Sequence, residues 1–355
     1  MDILQRKLEK TIRQLAKSKE LSPDELDALV EESYREWINH VARAVHEDLQ
    51  RRSKEMLAEE GRNIRDFERR NKRRWRLPLD QLKVMLRIVE ESAEGLVAEW
   101  NKKHKDDPYT FGALNHLCVR SLMLTREIIC LIEGGFADGA LGRWRSLHET
   151  AVAACFIAEH DELTAERFMA SFTCKSKKAM LQFNEYAERA NLDPFGDKDI
   201  RAAEKECREL EERLGKGLGD DFGWAREALS AKGKPTLFDL EQATGLDHWR
   251  PRYRWSSQNI HSGYRPPFSS LGMAEAKAML HLTGQSNSGM VDPIHMTAIS
   301  LLVAATSFLT RWPNADRLVA ARILDQISRD IGPLAMKVEA DSARRAERRI
   351  AKHGR

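Results

Sequence analysis

Between Pro251 and Gly263 the stretch Arg252-Tyr-Arg254-Trp255-Ser-Ser257-Gln-Asn-Ile-His261 sets an arginine and a histidine, Arg254 and His261, seven positions apart. On an α-helix, seven residues at about 100° each return almost to the starting face, two turns along. The spacing predicts that Arg254 and His261 project the same way, with Ser257 and Gln258 between them. A permanent cation can grip a phosphate while an imidazole that titrates near neutrality moves a proton. These are the minimum groups for cleaving a phosphodiester without a metal. His261 would serve as general acid or base, and Arg254 would stabilise the charge of the transition state. Arg252, Trp255 and Ser257, in the same stretch, are candidates for holding the substrate.

A second cluster is Arg143-Trp-Arg145-Ser-Leu-His148-Glu149. Arg145, His148 and Glu149 are neighbours at three and four residues and share a helix face. Glu149 could orient the guanidinium or the imidazole beside a substrate phosphate. Arg143 and His148, five residues apart, fall roughly 140° from each other and make a poorer pair. The same residues also suit a polar network joining two helices. The protein would then be a non-catalytic helical module that binds a protein partner or a small phosphorylated ligand.

Two resemblances rest on these residues. The Arg254-to-His261 segment resembles the loose Arg-x(4–6)-His pattern of HEPN domains, helical ribonucleases and nucleotide-binding proteins of prokaryotic toxin and defence systems. There a polar residue commonly follows the arginine; here Trp255 does. In addition, residues 111–312 resemble a bacterial all-helical family of uncharacterised function. In that family an Arg-x-Leu-x-Glu helix precedes a Ser-x-x-x-His segment, matched here by Arg145-Ser-Leu147-His-Glu149 and Ser257-Gln-Asn-Ile-His261. The family likeness implies that the two segments meet in one cleft of a helical bundle. The HEPN resemblance implies a metal-independent ribonuclease, or a nucleic-acid-binding effector of stress or antiphage defence, acting as a homodimer.

The chain of 355 residues has 42% hydrophobic and 32% charged residues, with Ala, Leu, Glu, Lys and Arg dominating. Apolar positions recur at three and four residues and seldom alternate, which predicts an all-α, multi-helix bundle; that the bundle is HEPN-like is implied by the HEPN resemblance alone. Net charge is only +3, so any attraction to nucleic acid must be local. Eight Lys or Arg face two acids over 61–76, and seven face three over 337–355. Phosphate backbones, RNA among them, are the natural partners of such clusters. Tyr253, Trp255 and Tyr264, interleaved with arginines, suit either unstacked bases or a core corner.

Five widely spaced cysteines without a C-x-x-C pair predict neither a disulfide framework nor a zinc site, and fit a reducing cytoplasm. No histidine or acid has metal-ligand spacing, so no cofactor is expected. The most apolar stretch, 299–309, is too short to cross a bilayer and reads as a buried helix, with no membrane association.

The elements that position these groups follow from periodicity. A short helix carries Leu4, Leu8, Ile12 and Leu15; Ser22-Pro23 caps a long amphipathic one. Residues 1–76 read as an N-terminal helical arm with a basic cluster, 78–335 as the main bundle, and 336–355 as a basic C-terminal helix or tail beyond a break at Gly332-Pro333. Helices over 111–133 and 137–160, joined by Gly134-Gly135, form an antiparallel hairpin around Leu117, Leu124, Trp144 and Leu147. Further helices fall at 162–190, 197–214 and 273–283, with an apolar one after Asp292-Pro293.

Overall fold

Periodic apolar stripes account for most of the elements. The computed structural model describes residues 23–103, 106–276 and 281–353, with isolated positions 6, 10 and 14. Leu4, Leu8, Ile12, Leu15 and Ser22 lie outside the described residues. Among the described residues the protein is all α-helix and 3-10 turn, without strands, as the sequence predicts. The chain divides into two compact units, Met1–Phe67 and Glu68–Arg355. Helix α1 (Pro23–Lys103) supplies residues to both. In the first unit Tyr34, Ile38, Val45 and Leu49 are exposed.

In the second unit α1 buries Trp75, Leu79, Leu82, Met85, Val89 and Leu96. This moves the expected start of the main body from Pro78 back to Glu68. Pro78 removes one backbone donor from α1, which nonetheless continues through it. Trp75 and Leu79 are buried on either side of it, and their packing offsets the loss. Asn71, also wholly buried, donates to the carbonyls of Ile132 (2.7 Å) and Glu133 (3.0 Å). Those carbonyls belong to the last turn of α2, where the helix itself supplies no partner.

Helices α2 (Pro108–Glu133) and α3 (Ala137–Ala158) form the expected hairpin, turning at Gly135 with φ 86°. A left-handed backbone there favours glycine. Leu117, Leu124, Trp144 and Leu147 are all buried. Helix α4 (Glu162–Ala190) packs on α2 and on α5 (Asp197–Leu214). Helices α6 (Leu237–Ala243) and α7 (Arg250–Ser257) lie on α3.

Helix α8 (Val291–Leu309) is long and apolar enough to cross a membrane by length and composition. It packs against α2, α3 and α9 (Ala315–His353), with Ile294, Leu301, Phe308 and Leu309 fully buried. Helix α9 runs through Pro333 without the expected interruption. Ile331 and Ala335, both buried, hold it on the core at each side of the proline.

Two further expectations are corrected. Cys174 of α4 and Cys207 of α5 form a disulfide 33 residues apart in sequence. Antiparallel packing of the two helices, not any sequence spacing, brings them together. The expected helix over 273–283 is absent at its described ends: a 3-10 turn covers Leu271–Met273, and 281–283 are irregular. Asp138, in the first turn of α3, draws this segment into a loop, accepting from Leu271 N (3.1 Å), Gly272 N (3.3 Å) and the Ser270 hydroxyl.

Candidate functional site

Where α7 crosses α3, the side chain of Tyr253 is the meeting point. Arg145 of α3 places its guanidinium carbon 4.3 Å from the Tyr253 ring centroid and donates to the hydroxyl at 2.7 Å. That hydroxyl in turn donates to Glu149. Burial pushes the Tyr253 phenol up to about 12; the neighbouring Glu149 adds to the rise and Arg145 opposes it. Tyr253 therefore stays a neutral donor at physiological pH. Arg145 and Glu149 approach each other only to 4.0 Å, so the tyrosine bridges them better than they pair directly.

His148, whose ring centroid lies 5.8 Å from that of Tyr253, meets a second acid. Its Nε2 lies 2.9 Å from Glu241 Oε1, while Arg250 donates to Glu241 Oε2 at 2.9 Å. The Glu241 carboxylate, on α6, is fully buried, and His148 is only 2% exposed. Trp144, one residue before Arg145, packs on His148 with ring centroids 5.2 Å apart and donates to Ser300 on α8. His148–Glu241–Arg250 and Arg145–Tyr253–Glu149 are two polar groups across α3, α6 and α7 that meet at the Tyr253 ring, 5.8 Å from the His148 ring centroid and 5.1 Å from the Arg250 guanidinium carbon. Buried polar groups require partners, and here each acidic or aromatic member has one. Sequence reasoning missed Glu241 and left Tyr253 open between base stacking and a core corner; Tyr253 is buried. Only the packing of α6 on α3 identifies Glu241.

The residues of the 252–261 stretch separate. Helix α7 ends at Ser257, so the predicted two-turn alignment of Arg254 with His261 does not form. Ser256 and Ser257 both donate to the Tyr253 carbonyl, at 2.7 and 2.9 Å. Such back-bonding competes with the helical ladder. Beyond it the chain tightens into turns, Gln258 N to Trp255 O at 3.1 Å and Asn259 N to Ser256 O at 3.0 Å. Arg254, Trp255 and His261 are exposed, and Arg252 pairs with Asp292 at the start of α8. The structure thus brings together Arg145, His148 and Glu149, adds Tyr253, Glu241 and Arg250, and leaves Arg254 and His261 outside that group.

A different site joins both basic clusters of the sequence. Arg70, Arg73, Arg76 and Lys83 of α1 line a groove of about 1140 Å³, with Val338, Asp341, Ser342 and Arg345 of α9 among its other walls. Seven Lys or Arg line it against four acids. Lys72 and Lys83 share Glu133, at 3.2 and 2.6 Å, and Arg74 pairs with Glu275. Arg70, Arg73 and Arg76 are exposed and make no hydrogen bond or ion pair among the described residues. Their charge remains free to meet an anion.

One cluster of described residues places metal-ligand atoms together: Cys174, Cys207 and Glu211, within 4.8 Å. Its sulfurs are joined in the disulfide and offer no thiolate. Burial pushes the Cys118 thiol, and also Cys155, up to about 12, which makes both inert as nucleophiles.

No curated protein and no solved structure matches the chain. Residues 111–277 match the model of a family of unknown function, DUF5677. The matched span starts within α2, contains the Tyr253 network and the exposed 254–261 stretch, and excludes the α1 and α9 walls of the groove. The likeness of this part of the chain is to an uncharacterised family.

Proposed function

We propose that this protein binds nucleic acid through its phosphate backbone, at the groove between α1 and α9. The observation that carries the proposal is the row of Arg70, Arg73 and Arg76, three exposed guanidiniums without protein partners. Guanidiniums grip phosphate oxygens in bidentate fashion and release condensed counterions as they do so. Titration of labelled oligonucleotides with the full-length protein over a range of salt concentrations tests the proposal. Binding should weaken steeply with salt; failure to bind any nucleic acid would remove this function.

A second reading, metal-independent RNA cleavage by His261 with Arg254, is favoured by the exposure of both side chains. Homodimerisation and a role in defence would accompany it through the HEPN resemblance. The Arg145–Tyr253–Glu149 network would then position α7 from behind rather than touch substrate. Incubating purified protein with RNA, with and without chelator, beside His261→Ala decides it. Cleavage that persists in His261→Ala, or none in the wild type, rejects it.

A further inference from the structure

Resting on the nucleic-acid reading above, we infer that the groove takes the backbone of a double helix, irrespective of base sequence. Unpaired bases and small phosphorylated ligands fit it less well. Proteins that hold unpaired strands supply aromatic faces for bases to stack on. No aromatic side chain lines this groove among the described residues. Trp75, which belongs to the same basic stretch, is fully buried and donates its indole N–H to Asn287 O at 2.9 Å. The exposed Trp255, Tyr264 and Phe268 belong to another segment and are not among its walls.

A small ligand needs polar groups that converge on one point. Here the free cations are strung out. Arg70, Arg73 and Arg76 follow one another at three-residue intervals, with Cβ atoms about 5–6 Å apart, over about 9 Å of helix rise. The phosphates along one strand of a double helix are likewise evenly spaced, each advancing ~3.4 Å along the helix axis. A duplex is already ordered, so evenly spaced cations can meet its phosphates without ordering the ligand, whereas a flexible strand must be ordered at an entropic cost that no stacking here offsets. Arg345 stands on a different helix, α9, and gives the groove a cation outside the α1 row.

The test uses full-length protein and fluorescence polarisation, comparing labelled duplexes of several sequences with their separated strands. Inorganic phosphate serves as the small-anion competitor. Duplexes should bind more tightly than either strand, differ little among sequences, and resist displacement by millimolar phosphate. The triple variant Arg70→Gln/Arg73→Gln/Arg76→Gln should flatten the slope of log K against log salt by about 3, at ~0.9 per lost contact. Arg345→Gln, on another helix, should flatten it by about 1 by the same measure. Circular dichroism melting confirms that these surface variants stay folded. Single strands that bind as well as duplexes overturn the inference while leaving nucleic-acid binding at the groove in place; an unchanged slope in both variants overturns the inference and the groove reading together. Failure of either form to bind overturns both.

Discussion

The Tyr253 network distinguishes a structural histidine from an exposed one, and removing Glu241 is the sharpest probe of that difference. Its carboxylate has no solvent exposure and joins His148 Nε2 and Arg250 Nη1, each at 2.9 Å. Glu241→Ala leaves a buried imidazole and a guanidinium that is only about a quarter exposed without their shared acceptor. Breaking a buried pair by deleting one partner costs about 3–5 kcal/mol. With a denaturant dependence of about 1–3 kcal/mol per molar in urea, the unfolding midpoint should fall by about 1 M or more. His148→Ala should also destabilise. The double variant should cost less than the two losses added, because residues in one network couple by about 0.5–3 kcal/mol. His261→Ala, at an exposed position, should stay within about 0.5 kcal/mol of the wild type. Urea unfolding followed by tryptophan fluorescence and circular dichroism measures all four. A Glu241→Ala midpoint equal to that of the wild type, or additive losses in the double variant, would refute the buried network.

Three other outcomes are expected. Trp144→Ala should cost about 3–5 kcal/mol, the usual range for a buried aromatic; an unchanged melting midpoint would contradict its place between α3 and α8. Reducing the Cys174–Cys207 disulfide, which closes a loop 33 residues long, should cost about 3–4 kcal/mol by loop entropy, and melting with and without dithiothreitol reads it directly. Burial lowers the pKa of His295, Asp292 opposes the shift, and Arg252 adds to it. The unfolded imidazole, with a pKa of about 6.5, therefore takes up its proton first as pH falls. The stability tied to His295 is full above that value and is lost as pH drops toward the lowered folded pKa. His295→Gln should flatten the stability profile over that window, and an identical profile in the variant would count against the shift.

Sequence alone determined the helical class and most helix limits, because periodic apolar positions and end signals act locally. Glu162–Ala190, Asp197–Leu214 and the α2–α3 hairpin follow from such signals. Its local rules misled at Pro78 and Pro333, where burial of neighbours outweighs one missing backbone bond. Arg145, His148 and Glu149 were legible as a cluster because they share one helix face. Their partners were not, since Glu241 and Tyr253 come from helices about 90–110 residues away that only packing brings onto α3. The spacing of Arg254 and His261 suggested a shared face, but the helix ends at Ser257, between them. Both basic clusters were visible as composition. That they line one groove was decided by the tertiary structure, because the packing of α1 and α9 into the same core sets which of their charged faces meet.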